Sequence, residues 1–345
     1  MSTSTNMRAW QLPAGCSSIA QAELIELPRP QPAAGEVLVR VHATSLNYRD
    51  QAIAQGRYFG SAIKVAGIPL SDGAGVVEAV GAGVKSFAPG DRVAGTFFQG
   101  WQDGMPPAAK GDALGCPPAK GMLADYVTLP ETGVVSLAGS LRFEEAATLP
   151  CAGVTAWNAL MKAARPLERG HSVLLIGTGG VSLLALRIAK AAGARVVATS
   201  SSDAKLARAR ELGADATLNY KSEPQWGARA AALAGGGIDH VVEVGGLGTL
   251  AQSMQAVGFG GEIALIGVLS MQGDTNPMPL MLKGASLRGI FVGSASMARE
   301  LNAFVDTHQL KPVVDRVFDF SEARAAYAYQ SSGALFGKVV IANQA

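Results

Sequence analysis

A glycine-rich segment between a predicted strand and a predicted helix is the strongest chemical signal in the sequence. It reads Gly177-Thr-Gly-Gly-Val-Ser182, so that Ser182 stands where the motif Gly-x-Gly-x-x-Gly has its third glycine. Glycines let the backbone turn tightly and approach a pyrophosphate, whose charge is then stabilised by the helix N-terminus. A tight turn that binds no nucleotide is the alternative. The strand-turn-helix setting favours a dinucleotide site with contacts from Gly177, Gly179, Gly180 and Val181.

The end of the next predicted strand indicates which dinucleotide is bound. An NAD site has an Asp or Glu there for the ribose hydroxyls, whereas this chain has Ser200-Ser201-Ser202 followed by Lys205. Hydroxyl groups and a lysine suit the 2′-phosphate of NADP, so Ser200, Ser201 and Lys205 are predicted to bind NADP(H). The alternative is that Ser202 caps the next helix and Lys205 is a solvated surface residue, and the two roles are compatible.

The cysteines and histidines give little support to metal or disulfide chemistry. Cys16, Cys116 and Cys151 form neither a disulfide framework nor a four-thiolate zinc site. The cysteine content predicts a reduced, cytoplasmic setting. No histidine pairs with a cysteine at ligand spacing, and the sequence predicts no metal site; the histidines are His42, His171, His240 and His308.

Two kinds of predicted structure must hold these residues in place. Residues 1–152 contain short alternating strands separated by Gly and Pro, and they predict a β-rich domain. Residues 153–295 alternate apolar strands with helices, which predicts a parallel sheet covered on both faces. Residues 296–345 contain two predicted helices and a last strand at 338–342, which we expect to return to the first domain. The predicted fold class is α/β.

Composition excludes several other classes of protein. The chain has 345 residues, of which 48% are hydrophobic and 16% charged, so disorder is excluded and sizeable cores can form. A net charge of +2 without long like-charge blocks gives no electrostatic case for nucleic acid. The most apolar stretch, residues 173–189, contains three glycines and suits a buried strand and helix better than a membrane span. We expect a soluble protein, and no signal peptide is apparent.

From Met7 to Ala342 the chain resembles the medium-chain dehydrogenase/reductase superfamily. The segments that carry the resemblance are spread along the whole sequence: residues 32–41 (PAAGEVLVRV), 45–50 (SLNYRD), 73–81 (GAGVVEAVG), 90–93 (GDRV), 149–157 (LPCAGVTAW), 209–215 (ARELGAD) and 336–340 (FGKVV). This resemblance implies a GroES-like β-rich catalytic domain, a Rossmann domain with a doubly wound parallel sheet, and a cleft between the two.

Zinc alcohol dehydrogenases of this superfamily carry a catalytic cysteine, a His-Glu pair and a second cysteine. The corresponding positions here hold Asn47, Ser71-Asp72 and Cys151, so a three-ligand catalytic zinc site is not expected. The loop at 100–120 contains only Cys116, so a four-cysteine structural zinc is not expected either. The chain therefore resembles the zinc-free quinone oxidoreductase branch, in which NADPH delivers hydride to a quinone or to the β-carbon of an activated alkene.

Residues 47–50 are the candidate catalytic segment. Asn47 is expected to donate an amide hydrogen bond to the oxygen on which negative charge develops. Tyr48 or Arg49 is an alternative donor, and Tyr48 is a candidate source of the proton. The structural alternative is a loop in which Arg49 and Asp50 form an ion pair, which is favoured for Asp50. Cys151 is expected to be a small buried side chain, with a reactive thiol as the alternative.

The resemblance implies further contacts with the cofactor. Thr155 is expected near the nicotinamide or its ribose, and Tyr220 beside the adenosine 2′-phosphate. Lys338 is expected to reach toward the cofactor, and the alternative is a surface lysine on an edge strand. Other contacts, mainly from the backbone, are expected where strands of the parallel sheet end: at Val244, Gly267, Val268, Phe291 and Val292.

The favoured function is therefore that of a zinc-independent, NADPH-dependent reductase of quinones or α,β-unsaturated carbonyls. The expected partners are the small-molecule substrate and a second copy of the chain, because the resemblance implies a homodimer through the sixth strand of the parallel sheet. One alternative is an alcohol dehydrogenase that acts without a metal or with an unforeseen set of metal ligands; without zinc it would lack a Lewis acid to polarise the alcohol. Another is an NADPH-binding sensor or scaffold with negligible turnover.

Overall fold

The chain folds into two units. The computed structural model describes residues 5–108, 113–267, 269–270, 272–273 and 275–343. The first unit comprises Met1–Val154 and Gly293–Ala345, and the second comprises Thr155–Val292. The second unit is thus a continuous segment of chain between the two parts of the first.

Strands dominate the start of the chain and alternate with helices after residue 172. The strands are β1 (Asn6–Gln11), β2 (Glu23–Pro28), β3 (Glu36–Ser45), β4 (Asp72–Val80), β5 (Arg92–Gly95), β6 (Tyr126–Pro130), β7 (Val134–Ser136), β8 (Ser172–Leu175), β9 (Arg195–Ser200), β10 (Ala216–Asn219), β11 (Ile238–Glu243), β12 (Val257–Leu265), β13 (Ser286–Gly289), β14 (Val314–Asp319) and β15 (Lys338–Ala342). The helices are α1 (Tyr48–Ala54), α2 (Phe143–Ala146), α3 (Val154–Met161), α4 (Gly180–Ala191), α5 (Asp203–Glu211), α6 (Trp226–Leu233), α7 (Leu247–Ala256), α8 (Met278–Lys283), α9 (Ala295–His308) and α10 (Ala323–Ser331).

The first unit is built on a mixed sheet of seven strands. Its order is β14-β15-β3-β4-β5-β7, and β6 also pairs with β3. Strand β15 runs parallel to β14 and antiparallel to β3. Leu46, Tyr327 and Ile341 pack in the core of this unit. Because β15 has a neighbour on each side, the alternative that Lys338 lies on an edge strand is wrong.

The second unit is built on a parallel sheet of six strands. Its order is β10-β9-β8-β11-β12-β13, and every pair of neighbours is parallel. The chain starts in the middle at β8, moves outward to β10, and then continues from β11 outward to β13. This doubly wound order confirms the predicted α/β class. All four residues of β8 are buried, as expected of a strand covered on both faces.

The apolar stretch at 173–189 is a buried strand followed by a helix, as predicted. It comprises most of β8 and of α4, with Gly177 in the turn between them. A helix needs about 20 apolar residues to cross a bilayer. Among the helices in the described part of the chain, none combines the length and the apolar character that a membrane span requires.

A pair of histidines lies near the start of β8 and β11. His240 is only 3% exposed, and its Nε2 lies 3.3 Å from Nδ1 of His171. Burial, and then the charge of His171, lower the pKa of His240 to about 4. His240 is therefore neutral in the folded protein at neutral pH.

Replacing His240 with Asn is expected to make the protein less sensitive to acid. Between the ordinary pKa of 6.5 and the folded value of about 4, the unfolded chain binds a proton at this position and the folded chain does not. Stability therefore falls as the pH falls through this window. From pH 7 to pH 5, the wild type should lose about 2 kcal/mol more of its free energy of unfolding than His240→Asn, measured by urea unfolding. Parallel pH profiles for the two proteins would contradict this account.

Candidate active site

Asn47 is the N-cap residue of α1 and is separated from the end of β3 by one residue, Leu46. Its backbone N–H donates to Oδ2 of Asp50 at 2.6 Å, a contact that holds the first helical turn. Nη1 of Arg49 lies 3.8 Å from Oδ1 of Asp50, so the expected ion pair is present. Burial raises the pKa of Asp50 to about 6, although the charge of Arg49 opposes the shift. These contacts account for Asp50 as a structural residue at the start of the helix.

Four side chains form a closed ring of contacts that includes Asn47. Nζ of Lys338 donates to Oδ1 of Asn47 and to the backbone oxygen of Leu46, both at 2.6 Å. Nδ2 of Asn47 donates to Oγ of Ser71 at 3.5 Å, and Oγ of Ser71 donates to Oδ1 of Asp72 at 3.0 Å. Oδ2 of Asp72 lies 3.6 Å from Nζ of Lys338 and closes the ring.

The ring is buried, with Asn47 as its most exposed member. Asn47 is 9% exposed and Lys338 is 4% exposed, while Ser71 and Asp72 are fully buried. A buried charge is tolerated only when it is paired and hydrogen-bonded, and Lys338 and Asp72 compensate each other here. Lys338 is therefore not the solvated surface lysine that was the alternative to a role in the site.

Tyr48 and Arg49, the two alternative donors to a substrate oxygen, have different environments. Tyr48 begins α1 and is 56% exposed. Arg49 is buried, where Nη1 donates to the backbone oxygen of Leu114 at 2.8 Å and Nε donates to the Tyr58 hydroxyl at 3.3 Å. Its guanidinium also lies over the ring of Phe97, 4.8 Å from the centroid. Arg49 is thus engaged within the core of the first unit, and Tyr48 is the more accessible of the two.

Cys151 lies in a π-helical turn at Leu149–Gly153. Burial raises the pKa of its thiol, and the negative charge of Asp72 raises it further. The thiolate is the nucleophilic form, so a raised pKa makes a cysteine less reactive near neutral pH. This favours the interpretation of Cys151 as a small packing residue.

The glycine-rich loop of the second unit keeps its shape through two hydroxyl groups. Gly177 has a φ of +76°, which requires glycine, and its N–H donates to Oγ1 of Thr199 at 3.2 Å. Oγ of Ser182 donates to the backbone oxygen of Ile176 at 2.8 Å. Ser182, which replaces the third glycine of the motif, therefore closes the loop. Gly179 is the N-cap of α4 and Gly180 its first residue, with Val181 next. Apart from the adjacent residues of the chain, no protein atom lies within 4 Å of a Cβ added at Gly177 or Gly179. The space beside these two glycines is therefore open to a ligand.

The Ser200–Lys205 segment combines a helix cap with the predicted phosphate-binding residues. Oγ of Ser202 accepts the N–H of Lys205 at 3.4 Å, so Ser202 caps α5 as the alternative interpretation proposed. Ser200 ends β9, and its backbone oxygen accepts the N–H of Tyr220 at 3.2 Å. The structure therefore brings Tyr220, which is 41% exposed, next to the end of β9. Ser201 lies between the strand and the cap.

One carboxylate near this segment was not part of the sequence prediction. Asp203 is the first residue of α5, and its Oδ1 accepts Nδ2 of Asn219 at 2.8 Å. The side chain of Asp203 is thus hydrogen-bonded to the end of β10. Its hydrogen-bonded position one residue after the cap could not be read from the spacing of residues alone.

Val244 and Gly267 follow the ends of β11 and β12. The carboxyl ends of parallel strands share one edge of a sheet, so both residues lie along the same edge as the glycine-rich loop. A Cβ on Gly267 would lie 1.8 Å from the backbone oxygen of Val244, so close packing of the two segments requires this glycine. Val268, the neighbouring predicted contact, lies outside the described residues.

Phe291 and Val292 follow β13, which ends at Gly289. Val292 has a φ of +57°, a conformation that β-branched residues rarely adopt. Its backbone oxygen accepts Nδ2 of Asn158 at 2.7 Å, which holds this conformation. Backbone strain of this kind clusters at ligand-binding segments. Phe291 is partly exposed, and Thr155 is buried in α3.

Glu243 is a structural residue of this edge that the sequence analysis did not identify. Its buried Oε1 accepts the N–H groups of Gly245 and Gly246 and the hydroxyl of Thr249, while Oε2 accepts the hydroxyl of Ser253. The carboxylate thereby fixes the segment between β11 and α7. The signal in the sequence was a carboxylate at the end of an apolar strand, with two glycines after the next residue.

The architecture defines a class of oxidoreductase. The sequence-family model described as "Alcohol dehydrogenase GroES-like domain" matches residues 33–139 of this chain. A second family model, described as "Zinc-binding dehydrogenase", matches residues 180–307. These matches confirm a GroES-like domain followed by a Rossmann-like parallel sheet. The chain belongs to the medium-chain dehydrogenase/reductase superfamily, whose members bind nicotinamide cofactors.

Relatives of the chain are named for several different activities. A zinc-type alcohol dehydrogenase-like protein of Schizosaccharomyces pombe is 45% identical over 315 residues, which cover 89% of this chain and 90% of the relative. A solved structure from Sinorhizobium meliloti, designated an alcohol dehydrogenase, has a TM-score of 0.91 and 42% identity and covers 99% of both chains. A 2-methylene-furan-3-one reductase of Solanum lycopersicum is 30% identical, covering 89% of this chain and 71% of the relative. Quinone oxidoreductases are also among the relatives.

The description of the second family model, "Zinc-binding dehydrogenase", implies zinc. The ring formed by Asn47, Ser71, Asp72 and Lys338 does not fit a zinc ion. Asp72 is the carboxylate of this ring, and its Oδ2 already lies 3.6 Å from the ammonium of Lys338. Oδ1 of Asn47 is occupied by the same ammonium. A second cation at this place would be repelled by Lys338. Among the residues that the structure describes, no group of three or more His, Cys, Asp or Glu side chains is placed to hold a metal.

Proposed function

We propose that this protein is a zinc-independent, NADPH-dependent reductase of quinones or α,β-unsaturated carbonyls. The observation that carries the proposal is the orientation of Asn47, whose Oδ1 is bound by Lys338, so that its NH₂ group is left to act as a donor. An amide donor is what a reaction that develops negative charge on oxygen requires. The name of the tomato relative supports this class of substrate, because a 2-methylene-furan-3-one is itself an α,β-unsaturated ketone.

The residues of the first unit account for the steps other than hydride delivery. When bound, NADPH supplies a hydride that forms a C–H bond at the β-carbon of an enone, or reduces a quinone, and NADP⁺ is released. Nδ2 of Asn47 donates to the substrate oxygen and stabilises the charge that develops there. The exposed hydroxyl of Tyr48 supplies the proton that completes the reduced product. Each turnover thus consumes one hydride and one proton.

The preference for NADPH rests on the end of β9. Ser200, Ser201 and Lys205 would hold the 2′-phosphate, and the partly exposed ring of Tyr220 would close over it. The remaining contacts of the cofactor follow the glycine-rich loop and the carboxyl edge of the sheet: Thr155, Gly177, Gly179, Gly180, Val181, Val244, Gly267, Val268, Phe291 and Val292.

Alcohol dehydrogenase activity is the second candidate, because relatives with high identity carry that name. An experiment with purified, metal-stripped protein separates the candidates. NADPH is titrated by fluorescence, and its oxidation is then followed after 9,10-phenanthrenequinone or a simple enone is added. We expect tight binding and oxidation with at least one acceptor. Oxidation of alcohols by NADP⁺ only after zinc is restored would favour the second candidate. Binding without any turnover would favour a sensor.

We also propose a homodimer through β13. This strand is at one edge of the parallel sheet, and Leu287 on it is 41% exposed. Met281 and Leu282 of the preceding helix α8 are each 68% exposed. An unpaired strand edge beside exposed apolar side chains favours pairing with a second copy.

Lys205→Ala is expected to weaken NADPH binding about tenfold, because a charge-assisted contact with the 2′-phosphate is lost. NADH lacks this phosphate, so its affinity should stay within about twofold. Both affinities are measured by fluorescence titration. Arg210→Ala is the matched control, since Arg210 is an exposed cation later in the same helix. An equal loss of affinity for both dinucleotides in Lys205→Ala would refute the assignment.

Asn47→Ala is expected to lower kcat by about 10²-fold, because an amide donor to the developing oxyanion is removed. The dissociation constant of NADPH should be almost unchanged, since the variant keeps the cofactor contacts of the second unit. Steady-state kinetics and fluorescence titration measure the two quantities, and thermal melting checks that the variant is folded. An unchanged kcat would refute the catalytic role of Asn47.

Leu287→Lys is expected to shift the protein toward monomer, because a charge is placed on the edge strand of the proposed interface. Sedimentation velocity at micromolar concentration measures the shift. Val317→Lys is the matched control, because Val317 is a partly exposed residue on β14, the edge strand of the other sheet. A monomeric wild type at these concentrations, or an equal effect of both substitutions, would contradict the interface.

A further inference from the structure

The Lys338 ammonium contacts three oxygen atoms of the first unit. The ammonium donates to Leu46 O and Asn47 Oδ1, and Asp72 Oδ2 is its ionic partner. An ammonium has three N–H donors and no acceptor. Two of its donors are used by Leu46 O and Asn47 Oδ1 at 2.6 Å, and the Asp72 carboxylate balances its charge at 3.6 Å. The family resemblance implied contact with the cofactor, but these contacts indicate a different role.

We propose that the Lys338 ammonium is the fixed cation of this site, which orients the Asn47 amide for catalysis and occupies the place that a divalent metal ion would need. The inference rests on the proposed reductase function for its catalytic part. Lys338 is a positioning residue, because it acts on the substrate oxygen only through Asn47.

The orientation of an asparagine side chain is decided by its hydrogen-bond partners. The oxygen and nitrogen ends of the amide are similar in shape, so a partner that accepts only one of them sets the direction. Lys338 accepts no hydrogen bond, and it therefore requires Oδ1 of Asn47 to face it at 2.6 Å. Nδ2 then faces Ser71, with one hydrogen on Ser71 Oγ and a second available to a substrate oxygen. A cation on the amide oxygen also makes the amide N–H a stronger donor.

The same contacts explain how the site avoids metal ions. Carboxylate, amide and backbone oxygens together form a ligand set that hard divalent cations accept. Here the carboxylate of Asp72, the amide of Asn47 and the carbonyl of Leu46 converge on the ammonium instead. A covalently attached cation cannot be removed by a chelator or exchanged for a competing metal.

The first test compares Lys338→Met with the wild type. We expect kcat to fall about 10²-fold, as for loss of a donor to the oxyanion. KM for the quinone and the affinity for NADPH should change less than threefold. Lys283→Met is the matched control, because Nζ of Lys283 is likewise held by oxygen atoms, here three backbone oxygens, and Lys283 lies in the second unit. This control should lose stability without losing kcat. The kcat of Lys338→Arg should be at least tenfold higher than that of Lys338→Met.

A double-mutant cycle tests whether Lys338 acts through Asn47. If it does, adding Lys338→Met to Asn47→Ala should lower kcat by less than threefold further. Independent, multiplied losses would overturn the positioning role. A tenfold or greater loss of NADPH affinity in Lys338→Met would also overturn it and would support direct contact with the cofactor. Because Lys338→Met leaves Asp72 unpaired, Lys338→Met/Asp72→Asn serves as a second variant if the single one does not fold.

The metal part of the inference has a test that does not depend on activity. Titration calorimetry with Co²⁺ should show at least tenfold tighter binding to Lys338→Met than to the wild type, because the Asp72 carboxylate is freed. Adding Asp72→Asn to Lys338→Met should abolish the gain in affinity for Co²⁺. Equal binding to the wild type and Lys338→Met would overturn the proposal. If neither the quinone nor the enone supports oxidation of NADPH by the wild type, the proposed reductase function is wrong. The calorimetric comparison would still decide the role of Lys338 toward metals.

Discussion

The buried ammonium of Lys338 constrains the arrangement of three strands. A charged group that is buried away from water must be compensated by polar partners. The partners of the Lys338 ammonium are oxygen atoms of Leu46, Asn47 and Asp72. Leu46 and Asn47 follow the end of β3, and Asp72 begins β4. The register pairs Ser45 with Val340 on one side and with Asp72 on the other. The order β15-β3-β4 is thus what brings the positive charge and its partners together.

The second unit uses two hydroxyl groups and one carboxylate to prepare its carboxyl edge. Hydroxyls of Thr199 and Ser182 hold the glycine-rich loop, and the carboxylate of Glu243 holds the segment before α7. Backbone groups that leave a strand need partners, and these side chains supply them without a ligand. A binding edge that is already ordered loses less conformational entropy when a dinucleotide binds.

The second unit was easier to predict from sequence than the first. The predicted strand that ends near Ser200 and the predicted helix that follows it are present as β9 and α5, because alternation of apolar strands and capped helices is a local pattern. Strand β14, with the sequence VDRVFD, was not predicted because it lacks a regular apolar alternation. The contact between Lys338 and Asn47 joins residues 291 positions apart, and its chemistry is visible only after the strands are paired. For the same reason, Ser71 and Asp72 were noticed only as replacements for zinc ligands.

The return of the chain to its first sheet has a consequence for synthesis. Strand β15 fills the gap between β14 and β3, and the whole second unit is translated between β3 and β15. A nascent chain therefore carries Asp72 without its partner charge, and an incomplete sheet, until Lys338 has been synthesised. The parallel-sheet unit has all of its strands available earlier and is free to fold first. The Asn47 centre consequently forms only after the parallel-sheet unit has been synthesised, so a partly synthesised chain can hold a folded dinucleotide-binding unit before its catalytic centre exists.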